Sequence, residues 1–191
     1  MAHPFRHYNR LSADNLELNG TALTSSAAEL NIMDGVTATA AEINNAVDVS
    51  ARFVAAGSTL AVTAALHSGK IIKLDTVTGS VCTLPAATGT GNIYRFVTSV
   101  LATSNSHIVK VTTTDVFAGA VVTADNADGT ATAFGTQATS DTITLNRTTM
   151  GSVVKAGDYL EFIDVATGFW HVSGFLVATG TEANPFSATV S

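Results

Sequence analysis

One cysteine, three prolines and one tryptophan are found in the 191 residues, and only 13% of the chain is charged. Each shortage excludes something. A lone Cys82 cannot close an internal disulfide, so stability has to come from packing or assembly. Set in the apolar run Val81-Cys-Thr-Leu84, it reads as a small buried hydrophobe. Net charge is −6 and no run of Lys or Arg occurs. The cationic face that releases counterions from nucleic acid is therefore missing, and nucleic acid is not expected as a partner. No stretch approaches the ~18 apolar residues of a membrane span. The start, Met1-Ala-His-Pro-Phe-Arg-His-Tyr8, has no signal-peptide apolar segment. Neither a membrane partner nor secretion by a standard pathway is expected.

Motifs that carry chemistry are equally scarce. His3, His7, His67, His107 and His171 stand singly, without the paired spacing that zinc requires. Ala124-Asp-Asn-Ala-Asp-Gly129 resembles a calcium loop only faintly, since Ala124 occupies the first ligand position and Gly135 the place of the bidentate glutamate. It reads as a hairpin turn. Gly89-Thr-Gly91 precedes a strand pattern rather than the helix that a phosphate cradle needs, so it too reads as a turn. Glu161 and Asp164 flank one strand, and nothing resembles a nucleophile elbow. No catalytic residue, cofactor or metal is assigned, and a non-enzymatic protein is expected.

What the chain does have is a hydrophobic share of 46%, enough for a sizeable core. Its charge is about half the usual ~25% share, with threonine, serine, alanine and valine in its place. Such a surface suits covering by neighbouring subunits, although an ordinary Thr-rich β-protein has the same composition.

Two regions differ in pattern. Residues 1–50 form an arm, and residues 51–191 a β-domain. Within the arm, Leu23-Thr-Ser-Ser-Ala-Ala-Glu-Leu-Asn31 is echoed by Val36-Thr-Ala-Thr-Ala-Ala-Glu-Ile-Asn44. Each copy holds a Ser/Thr-x-x-Glu capping box, Ser26 to Glu29 and Thr39 to Glu42, which predicts a helix start. Each helix has room for about two turns, too few to be stable alone in water. Ala27, Leu30 and Met33 share one helical face, as do Ala40, Ile43 and Val47. This narrow stripe is suited to resting on another surface.

From Ser58 onward, short alternating runs are broken by Gly, Asn, Asp and Pro. Strands are predicted at Thr59–Thr63, Lys70–Asp75, Val81–Leu84, Ile93–Val100, Ile108–Thr112, Val116–Thr123, Ala131–Phe134, Thr142–Asn146, Tyr159–Ile163 and Phe169–Val177. The expected fold is mainly β: an antiparallel sandwich or barrel of jelly-roll or β-tulip type, with an extended N-terminal arm carrying short helical turns.

The repeated Ala-Ala-Glu-Leu/Ile-Asn unit resembles segments of structural proteins from tailed bacteriophages, in tail fibres and in head-decoration proteins. The second region is similar to a virion pattern as well. A Ser68-Gly-Lys-Ile-Ile72 strand leads to a Thr83-Leu-Pro85 turn and then to Gly91-Asn-Ile-Tyr-Arg-Phe96. The resemblance covers about residues 20 to 175. Two repeat copies are too few for a long fibre shaft, so the closer likeness is to capsid decoration (cement) proteins. That resemblance implies homotrimers on the outer surface of the virion head, with the arm clamping the major capsid protein and stabilising the shell. Phe5, Tyr8, Leu11, Leu30, Met33, Ile43 and Val47 are then the candidate inter-subunit contacts; the alternative is that they pack against the chain's own β-domain. The second implied role is a head- or tail-fibre subunit binding host-surface glycans, favoured by an exposed aromatic cluster near Trp170 or Tyr94.

Overall fold

The computed structural model describes residues 17–32, 34–47, 52–112 and 114–189. The chain divides between Ala40 and Ala41 into two compact units. The first holds a two-stranded hairpin, β1 (Glu17–Leu18) and β2 (Thr21–Ala22), and the helix α1 (Ala27–Ile32). Asn19 and Gly20 both have positive φ, the backbone that a two-residue hairpin turn demands.

The second unit begins with the helix α2 (Ala40–Val47), whose first residue falls at the division. It continues with β3 (Phe53–Ala55), β4 (Thr59–Ala61), α3 (Ala64–His67), β5 (Ile71–Leu74), β6 (Val81–Thr83), β7 (Ile93–Thr98) and β8 (His107–Lys110). Then follow β9 (Val116–Asp125), β10 (Ala131–Gly135), β11 (Thr142–Leu145), β12 (Tyr159–Ala166), β13 (Phe169–Ala178) and β14 (Phe186–Ser187). The protein is mainly β, 41% strand against 10% helix. All ten predicted strands are present, with ends moved by a few residues. The short strands β3 and β14, the hairpin β1–β2 and the single turn α3 carry too few alternating residues to be read from sequence.

These strands make two sheets. One has seven strands in the order β10-β9-β13-β12-β7-β5-β3, the other five in the order β14-β11-β8-β6-β4. The expectation of an antiparallel fold is corrected here, because both sheets are mixed. β13 runs parallel to β9, β3 to β5, β5 to β7, β4 to β6 and β6 to β8. From β3 to β8 the chain alternates between sheets, so β3, β5 and β7 align in one while β4, β6 and β8 align in the other. Parallel neighbours normally need a long crossover, usually a helix. Here a strand of the opposite sheet serves as the crossover. Side-chain alternation reports which face is buried and carries no information about strand direction, so sequence could not show this.

Burial follows the period of two. β7 alternates half-buried and buried along its whole length, turning Tyr94, Phe96 and Thr98 inward. Leu160 and Phe162 of β12, Trp170 and Val172 of β13, and Ile72 and Leu74 of β5 face the same way. They join Cys82, Val109, Ile143 and Leu145 from the five-stranded sheet in one core cluster. Burial raises the Cys82 thiol to about 12, which leaves it an inert packing group.

Two glycines test this arrangement. Gly119 has φ +149, and a Cβ built on it would run into the carbonyl oxygen of Val172 on the neighbouring strand. Gly168 has φ +79 but open space around it. Gly119→Ala should therefore cost more than about 3 kcal/mol, through clash plus backbone strain. Gly168→Ala should cost only the left-handed penalty of roughly 1–2 kcal/mol. Chemical denaturation of the two variants measures the difference, and equal losses would contradict the close approach of β9 to β13.

Candidate interaction surfaces

The first copy of the repeat forms its capping box. The Ser26 N–H and hydroxyl both donate to Glu29 Oε2, at 2.7 and 2.8 Å, and the Glu29 N–H donates back to Ser26 Oγ at 3.2 Å. The bond from the Ser26 N–H, then that from its hydroxyl, holds the Glu29 carboxyl below its ordinary pKa. The second copy forms α2 at the predicted place. Of the candidate contact residues, Leu30 is 46% and Val47 66% exposed, while Ile43 is half-buried. Phe5, Tyr8, Leu11 and Met33 lie outside the described residues.

A second surface lies on the seven-stranded sheet. Residues of the seven-stranded sheet that alternate with the core face outward, and many are apolar. Val122 of β9, Phe175 of β13 and Tyr159 of β12 are cross-strand neighbours in one row, and Phe169 lies further along β13. All four are well exposed, Phe169 by half. Beside them Arg95 donates to Glu161 at 2.8 Å and the Tyr159 hydroxyl donates to the same carboxylate at 3.0 Å. Burial by itself would raise the Glu161 carboxyl, but these two bonds and the Arg95 charge hold it below its ordinary value. Trp170 and Tyr94 are wholly buried, packed edge to face at 5.6 Å. The exposed aromatics of this face are Phe169, next to Trp170, with Phe175 and Tyr159. Alternation in β12 and β13 signals that one face is apolar, but their outer faces also carry exposed apolar residues, interspersed with Glu161, His171 and Ser173.

Near one end of this sheet an open groove of about 860 Å³ runs between α2 and α3. Ala41, Glu42 and Ala46 line one side, and Arg52, Lys70 and Arg95 contribute cations. Ser68, Ile71 and Asn92 are also in its lining.

Several buried polar residues hold loops in place. Asp164 accepts the N–H groups of Thr88, Gly89 and Thr90 at 2.9, 2.6 and 3.1 Å, and the Thr90 hydroxyl at 2.6 Å. The Gly89-Thr-Gly91 turn thus cradles an anion, and that anion is the protein's own side chain. Sequence spacing gave no hint of it, because Asp164 is more than 70 residues away. Asp158 accepts the Thr98 hydroxyl and the N–H groups of Ser152 and Val177 in the same way. His107 is buried, taking the Ser80 N–H on Nδ1 and facing the Val100 carbonyl through Nε2. His67 is buried with Nδ1 toward Thr63, and burial pushes its pKa down. His171 is exposed on the outer sheet face. Among the described residues no three His, Cys, Asp or Glu side chains come together as a metal site.

The Asp164 cradle has a signed pH dependence. Burial alone would raise this carboxyl, yet the Thr90 hydroxyl and the three amides together lower it below the ordinary value. Its contribution to stability is therefore complete above the unfolded carboxylate pKa of about 3.9 and is lost as pH falls through the lower folded value. Asp158, raised chiefly by burial, acts in the opposite sense: its ionisation weakens the fold as pH rises through the raised folded value. Asp164→Asn should lower the stability at pH 7 by roughly 2 kcal/mol, with the gap to wild type closing in strong acid. Urea titrations across that pH range check this, and a pH-independent gap would contradict the charged cradle. No family model, curated protein or solved structure matches this chain.

Proposed function

We propose that this chain is a non-enzymatic capsid decoration, or cement, protein of a tailed bacteriophage. In this reading residues 51–191 form a β-sandwich body that assembles as a homotrimer on the outer surface of the head. Residues 1–50 are the arm that docks onto the major capsid protein and stabilises the shell. The observation that carries the proposal is the exposure of Leu30 and Val47 on two short helices. Helices of six and eight residues with bare apolar positions gain little by themselves, and they gain most when a partner covers them. The charge-poor composition and the resemblance of the repeat to decoration proteins support the same reading. A trimer with three such arms holds several shell subunits at once, so modest individual contacts add up to a firm joint.

Phe169 next to buried Trp170 favours a second reading, a fibre subunit whose exposed aromatics bind host-surface glycans. Copy number separates the two: a count near that of the major capsid protein means decoration, and a handful per virion means fibre.

A chain beginning at Ala51 should still fold and oligomerise but lose binding to purified heads. The paired variant Leu30→Asp with Val47→Asp should weaken head binding at least about tenfold while leaving the β-body intact. Cosedimentation with heads measures both. Undiminished binding by the truncated chain would refute the docking arm.

A further inference from the structure

We infer that the outer face of the seven-stranded sheet is the surface through which copies of this chain associate with one another. The inference rests on the proposed homo-oligomer and assigns its interface to particular strands.

Three properties select another copy as the occupant. The first is area. Val122, Tyr159, Val165, Phe169 and Phe175 are each 38–52% exposed and, with exposed Ala118 and Ala120, spread over three adjacent strands, the breadth that one partner's ~800 Å² share of a stable interface calls for. Three aromatics within such a patch match the residue types enriched at interface cores. The second is charge. The chain carries a net −6, so two copies repel unless they meet where that charge is absent. On this face Glu161 is neutralised by Arg95 and hydrogen-bonded by Tyr159, and the nearby Lys73 ammonium lies over the Phe53 ring at 5.7 Å. A cationic partner finds no unmatched acid here to bind, and an identical face brings no unpaired acid against another. The third is shape. β9 and β13 each have ten residues in continuous register, forming a regular pleated platform. Two twisted sheets of equal pitch pack face to face within about 30° of alignment, which an identical sheet satisfies automatically. Three copies can equally close around a three-fold axis with these faces turned inward.

The test is sedimentation velocity of the full chain and three variants at micromolar concentration, without heads present. Phe175→Glu and Val122→Glu place a charge on the face at exposed positions, so the fold tolerates them. Val77→Glu charges an exposed loop position elsewhere and serves as the control. The wild type and Val77→Glu are expected to sediment as the same oligomer. Both face variants should be monomeric, with the dissociation constant raised at least about a hundredfold and unchanged circular dichroism. A monomeric wild type, or a Phe175→Glu chain that assembles as the wild type does, would overturn the inference. Head binding is scored separately: oligomers that ignore heads count against the decoration role alone, and assembly unaffected by Phe175→Glu counts against this interface alone.

Discussion

The register of β12 between β7 and β13 is the constraint on which the rest of the molecule depends. Phe162 lies opposite Tyr94 on one side and Val172 on the other. Its ring packs at 5.5 Å against Phe96 and at 5.1 Å against Phe117, joining three strands through one side chain. A slip of one residue would send Phe162 outward and bring Glu161 into the core. Removing a buried charge from water costs far more than any single contact returns, so this register has no near competitor. Once it is set, Tyr159 and Glu161 must face out and Asp164 must face in.

Asp164 shows how the fold manages without disulfides. With one buried cysteine, loops between sheets are tied by carboxylates that collect backbone N–H groups. Asp164 holds the Thr88–Thr90 turn, Asp158 joins β7 and β13 to the loop at Ser152, and Asp115 receives the Ala87 N–H at 2.7 Å. The bonds at Asp164, which hold the carboxyl below its ordinary value, are charge-assisted and among the stronger ones available. These carboxylates also change the outside of the molecule. Among the described residues Asp115, Asp125, Asp141, Asp158 and Asp164 are buried, so the described surface is poorer in charge than the composition already suggests.

That charge-poor exterior bears on both proposed contacts, which are physically different. The helices offer short apolar stripes at Leu30 and Val47, suited to a groove on a larger partner. The sheet offers a broad, regular platform with its ion pair already satisfied.

Much of this was legible in the sequence where the physics is local. Capping boxes, turn residues and period-two alternation act within a few residues, so α1, α2 and the ten longer strands could be placed from the chain alone. The burial of Cys82 was legible for the same reason. The winding of β3 to β8 between two sheets was not, since alternation is indifferent to strand direction. Nor was the partnership of Asp164 with the Gly89 turn, which only long-range packing creates. The outer face is the clearest case: Val122, Tyr159 and Phe175 are far apart or only loosely related in sequence, and they became one surface when β9, β13 and β12 were paired. Sequence determined which segments would be strands and which would be capped helices, because those are near-neighbour effects. Tertiary structure alone decided which apolar residues were left outside, because each strand has two faces and only the packing of one sheet on another selects the buried one.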